Sequence, residues 1–157
     1  MEPQLTFMIV ACLVLITIAY FIPKKMKWYE IYTTAVFMTL FGLIVDTVLA
    51  VKYKFYVLDQ EGVQIPALIG QILLYSSSTI IILNAFPYHK SKKSKLIYVI
   101  CFSILSIIFE FIAVQFGFIK YNEWRIWYSA LCYPFIISFV ILHFRFFKWL
   151  VKRSIWK

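Results

Sequence analysis

The sequence predicts an all-α protein, an integral membrane bundle of five transmembrane helices with its N-terminus outside and its C-terminus cytoplasmic. Three observations carry that prediction. Hydrophobic residues make up 63% of the 157 positions, where soluble domains hold roughly 45–50%. Five runs are apolar and long enough to cross a hydrocarbon core of about 30 Å, which takes roughly 17–25 helical residues each. Lysine and arginine then collect on one side of those runs.

The first span, about residues 5–22, is preceded only by Glu2 as a charge and meets the basic "IPKKMK" at its far end. A cleaved leader has the opposite order, with a basic start and a small-residue cleavage site, so this run is expected to be retained. The second span, about 30–51, contains "FGLIVDTVLA", in which Asp46 stands among apolar residues, one glycine and one threonine. The third, about 65–86, carries Pro66 near its start and Ser76, Ser77, Ser78 and Thr79 in its middle. Those hydroxyls are expected to bond helical carbonyls or neighbouring helices. The fourth, about 96–116, contains Glu110, and the fifth, about 129–148, contains Pro134 and runs on into "FRFFKWLVKRSIWK". Residues 1–157 thus form a single transmembrane domain, and chemistry is confined to the bundle or its rims.

The formal net charge is +9. Lys24, Lys25, Lys27, Lys90, Lys92, Lys93, Lys95, Arg145, Lys148, Lys152, Arg153 and Lys157 fall on one side of the spans. The other side has Lys52, Lys54, Lys120 and Arg125, mixed with Asp59, Glu61 and Glu123. The basic excess therefore orients the chain by the positive-inside rule, and no nucleic-acid partner is needed to explain it. Membrane lipids are the expected partners. Trp28 and Tyr29 at the inner border, with Tyr53, Tyr56, Trp124, Trp127 and Tyr128 at the outer one, read as interfacial anchors. In the tail, Arg145, Lys148 and Lys152 interleave with Phe147, Trp149, Leu150 and Trp156, as in a helix end sliding into an anionic interface. Cys12, Cys101 and Cys132 lie in three spans without metal-ligand spacing, so they read as small packing residues.

Spans two and four resemble each other around their acids. "DTVLAVKYKF" aligns with "EFIAVQFGF" with one gap, and each span leads through a short outer connection into a span bearing proline. Two parallel hairpins related by an axis along the membrane normal would give this pattern. At about 1.5 Å per residue, Asp46 and Glu110 both lie some 6–7 Å outward of their span centres. Gln71 and Tyr133 come out at a similar depth, so a polar layer of Asp46, Gln71, Glu110 and Tyr133 is expected in the outer half. Ala35, Thr39, Gly42, Asp46 and Ala50 share one helical face, as do Ser103, Ser106, Glu110, Ala113 and Gly117. Such small-residue stripes face other helices. A carboxylate at a span centre costs about 2.5–3.5 kcal/mol on insertion scales, so both acids are placed inside the bundle, with Lys52 and Arg125 as the candidate cationic partners. Glu30, at the inner end of span two, is expected to be solvated.

The segment "GFIKYNEWRIWYSALCYP" supplies a possible rim for a pocket in Trp124, Arg125, Trp127 and Tyr128, and an ordinary aromatic belt has the same composition. No histidine pair has metal-ligand spacing, no Ser-His-Asp set converges at one depth, and no phosphate or dinucleotide loop is present, so neither a metal nor a cofactor is expected. The stretches "WYEIYTTAVFMTLFGLIVDTVLAVKYKFYVLD", "IPALIGQILLY" and "IKYNEWRIWYSALCYP" resemble a family of small uncharacterised multi-spanning membrane proteins of Bacillus-like spore-forming bacteria. The resemblance implies a bacterial cell membrane and transfers no activity.

Two functional classes follow. The first is a non-enzymatic multi-pass protein, either an accessory component of a membrane complex or a unit that binds or passes a small ligand or cation at its acidic layer. A homo-oligomer or a partner membrane protein fits it, since five short helices enclose little interior. The second is an intramembrane enzyme acting on a lipid or isoprenoid-like substrate with Asp46 or Glu110 as acid or base.

Overall fold

The computed structural model describes residues 2–60, 62 and 64–155. Glu61, Trp156 and Lys157, which enter the charge and tail expectations above, lie outside the described residues. The chain forms α1 (Pro3–Phe21), α2 (Trp28–Asp46), a π-helical turn (Thr47–Lys52), β1 (Tyr56–Leu58), α3 (Ile65–Ala85), α4 (Lys92–Gln115), β2 (Ile119–Tyr121) and α5 (Ile126–Ile155). Five helices are long and apolar enough to span a membrane, with α2 and the π turn counted as one. The protein is a membrane-embedded, multi-pass helical bundle.

Most helix ends lie close to the runs expected from hydropathy, and the departures have local causes. Helix α4 starts at Lys92 rather than near 96 because Ser91 caps it, its hydroxyl accepting from the Ser94 amide. Hydropathy is blind to such a cap. Helix α4 stops where Gly117 adopts φ +74°. Phe118 N then donates to Ala113 O and Gly117 N to Val114 O, the paired bonds of a Schellman stop that a glycine accommodates. Helix α5 continues past 148 to Ile155, carrying its basic and aromatic residues in helical register.

Two hydrophobic clusters hold the bundle. At one end Phe7, Met8, Ala11 and Cys12 of α1 pack on Ala67 and Leu74 of α3, with Ala113 and Phe118 closing the cluster. Helix approach there is close, since a Cβ on Gly70 of α3 would collide with the Met8 side chain. At the opposite, basic end Met38 of α2, Ile82 and Leu83 of α3 and Ile137, Ile141 and Phe144 of α5 form the second cluster, with Met26 and Phe86 from the connections. Asn84, buried near the end of α3, organises the first connection, its Oδ1 accepting from Lys25 N at 2.7 Å and Met26 N at 3.2 Å.

The first cluster is roofed by a feature hydropathy did not indicate. Strands β1 and β2 pair antiparallel, with Tyr56 opposite Tyr121, Val57 opposite Lys120 and Leu58 opposite Ile119. What was expected to be two independent connections is one hydrogen-bonded ribbon tying the α2–α3 hairpin to the α4–α5 hairpin.

Candidate functional site

Both acids sit directly beneath the ribbon, and each is held by three donors. Asp46 Oδ1 accepts from the Tyr56 phenol at 2.6 Å, while Oδ2 accepts from Gln71 Nε2 at 2.7 Å and from the Tyr75 phenol. Glu110 Oε1 accepts from the Tyr121 phenol and from Ser129 Oγ at 2.6 Å, and Oε2 accepts from the Tyr133 phenol. The Asp46–Gln71 and Glu110–Tyr133 contacts join residues placed at one depth by sequence. The carboxylates themselves share no hydrogen bond among the described residues, so the expected single layer is a pair of adjacent cradles.

The two cradles repeat one plan. Each acid is reached by the strand tyrosine of its own hairpin and by two residues four apart on the following helix, Gln71 and Tyr75 in one and Ser129 and Tyr133 in the other. Residues four apart share a helical face, so both can converge on one carboxylate. An antiparallel pair has a local two-fold axis at each directly opposed pair, and the axis at Tyr56 and Tyr121 exchanges the strands that supply the equivalent phenols. The register is not the one read from sequence, which set Phe55 against Phe118. The aligned gap falls at the π turn, where Tyr53 N bonds Val48 O five residues back. One extra residue in a helix produces such a turn.

The cradles differ in access. Glu110 is buried at 6% exposure, with Ser129 beside it at 4%. Trp124 covers this side, its indole N–H donating to Ser129 Oγ at 2.8 Å and its ring lying edge-on to Tyr56 at 5.7 Å. Asp46 instead lies on the wall of an open cleft of about 400 Å³, formed by the end of α2, the π turn, β1 and the start of α3. Gln71, Gln64, Lys54 and Asn122 are among the other polar residues that line it. A carboxylate offers about four lone-pair positions; three are used at Asp46, and the remaining one is on Oδ1. Backbone irregularity surrounds this cleft, since Lys54 at φ +54° and Asp59 at φ +62° bracket β1. Non-glycine residues adopt that region rarely, and mostly where the surroundings enforce it.

Burial, then the nearby Asp46 charge, pushes the Tyr56 phenol well above its ordinary value. Burial, then the hydrogen bond to Glu110, does the same to Tyr121. Both phenols therefore remain donors through neutral and mildly alkaline pH.

Several sequence expectations are corrected here. Lys52 is not an ion partner of Asp46; its ammonium lies 5.5 Å from the Tyr53 ring centre. Arg125 is exposed and makes no ion pair among the described residues. Of the expected rim, Trp124 belongs to the Glu110 cradle, while Trp127 and Tyr128 are exposed, their tilted rings 3.9 Å apart and Tyr128 lying 5.3 Å from Trp124. Glu30 is buried at 6%, because its Oε2 turns back to accept from Lys27 N and cap α2, and Lys148 Nζ stands 4.0 Å away. Cys12 is buried, but Cys101 is exposed on the bundle surface. Tyr56, Tyr75, Tyr121 and Ser129 were missed as site residues. The tyrosine ten residues beyond Asp46 and eleven beyond Glu110 is the signal that could have found Tyr56 and Tyr121.

Among the described residues no group of three metal-ligating side chains forms. Comparison with family models, with curated proteins and with solved structures finds no match for this chain.

Proposed function

We propose that this is a non-enzymatic bacterial cell-membrane protein that binds a small cationic or hydrogen-bond-donating group at Asp46, with Glu110 serving as the closed structural counterpart. The observation carrying this is the difference in access between two like cradles: Glu110 is buried beside Trp124, and Asp46 faces an open cleft. A purely structural pair has no need of that difference. The ribbon end faces outward in this proposal, as the basic residues at the other end favour by the positive-inside rule.

The test is thermal unfolding of the purified protein with and without ethanolamine as probe. Wild type is expected to be stabilised; Asp46→Asn is expected to stay folded and lose the effect. Absence of stabilisation in wild type rejects the binding role. Labelling of an N-terminal tag on intact cells checks the orientation, and protection of the tag rejects it.

One observation favours a rival: two phenols and a carboxylate beside an open cleft form a set able to move protons. An intramembrane enzyme acting on a lipid or isoprenoid-like substrate would alter a lipid species on expression. An unchanged lipid extract counts against it.

A further inference from the structure

Resting on the ligand-binding role just proposed, we infer that the occupant of the cleft is a membrane phospholipid with a primary-ammonium headgroup, its acyl chain lying in the groove between α2 and α3. A second cavity of about 510 Å³ runs along those two helices from Trp28 to Leu43. Leu43 lines both spaces, so the polar cleft and the groove are neighbours across that side chain.

The groove is dry in chemical character. Its aliphatic hydroxyls at Thr39 and Ser76 bond each other at 3.0 Å, and its other polar atoms, on Tyr32 and Trp28, belong to its far end, so aliphatic surface faces an occupant along most of its length. Such a wall takes hydrocarbon and rejects polar atoms. From Leu43 to Trp28, the stretch of α2 that lines the groove, the helix advances fifteen residues, or about 22 Å. One leaflet of a hydrocarbon core is about 15 Å deep. The groove is therefore long enough for a whole acyl chain whose head is at Asp46.

Charge complementarity selects the head. Asp46 offers a carboxylate lone pair, and Lys54 lines the same cleft. A zwitterion with an ammonium for Asp46 and a phosphate for Lys54 matches both signs at once. A quaternary ammonium has no N–H to give to Oδ1, and an uncharged glycerol head leaves the Asp46 charge unanswered. Phosphatidylethanolamine presents the required pair of groups.

The experiment compares phosphatidylethanolamine, phosphatidylcholine and phosphatidylglycerol of identical chains, read by lipid retained on the purified protein and by thermal unfolding. Wild type is expected to retain phosphatidylethanolamine about tenfold over the other two, the ratio given by a difference of about 1.4 kcal/mol. Asp46→Asn should abolish the preference, whereas Lys54→Gln, which removes a contact to the phosphate that all three lipids share, should lower retention of all three. Lys54 is exposed, so its variant reads binding without a cost to the core. Val36 lines the groove and is 44% exposed, so Val36→Trp can fill the groove from its open side. That variant should lose the phospholipid yet keep stabilisation by free ethanolamine. Equal retention of the three lipids by wild type, or a preference that survives Asp46→Asn, overturns the inference. If ethanolamine still stabilises in that case, the small-ligand role stands and only the lipid is wrong. If neither acts, both fall.

Discussion

The Tyr133 phenol and Glu110 share a cradle almost closed to solvent, where losing one donor leaves a carboxylate oxygen with no substitute partner. Leaving a buried acceptor unsatisfied costs about 1–3 kcal/mol, with more for a charged group. Tyr133→Phe, which keeps the ring and removes only the hydroxyl, is therefore expected to lower unfolding stability in detergent by about that amount. Tyr75→Phe should cost less, since the Asp46 cleft admits a replacement donor. Equal losses in both variants would contradict the difference in access. That Asp46 and Glu110 turn toward other helices was legible from their stripes of small residues, whereas the burial of Glu30 was not. Which side chains satisfied those two acids was not legible either, because hydrogen-bond partners ten to twenty-nine residues apart meet only through the ribbon and the hairpins.

Helix approach at Gly42 decides whether the Asp46 cradle can form. A Cβ placed there would lie 2.8 Å from Tyr75 Cδ2 and Cε2, closer than real contacts allow. Gly42→Leu is expected to displace the Tyr75 ring from Asp46 and to destabilise the protein by about 1–3 kcal/mol, the usual cost of overpacking. Tyrosine fluorescence together with thermal unfolding would check both effects. At the basic end, Asn84 holds the α1–α2 connection by two backbone amides that have no other partner within it. Asn84→Ala should expose this connection to proteolysis between Ile22 and Lys27 before the bundle unfolds. Cleavage there at the wild-type rate would refute that role.

Across the whole molecule, the ribbon couples the two hairpins, and its buried tyrosines make the fold sensitive to alkali. The unfolded chain releases phenolic protons near pH 10. The folded chain keeps those of Tyr56 and Tyr121 to higher pH, since burial raises both. Their contribution is thus complete below about pH 10 and is lost as pH rises beyond it. The melting temperature is expected to fall in that range, and Tyr56→Phe with Tyr121→Phe should make the fall shallower. A parallel fall in both proteins would remove these phenols from the account. The two hairpins are not packed identically, because Phe7 of α1 inserts beside α4, stacking on Phe116 at 5.5 Å and lying 5.6 Å from Phe109.

Span number, approximate ends, the asymmetry of basic charge and the inward stripes around Asp46 and Glu110 were settled by sequence alone. Those properties depend on local composition and helical period, which any twenty-residue window contains. The ribbon, the π turn, the inward capping of Glu30 and the unequal access to two like carboxylates were decided only when the chain closed on itself. The ribbon and the unequal access depend on what a distant segment places opposite a residue, whereas the π turn and the Glu30 cap are specific local bonds, and hydropathy carries no information about either.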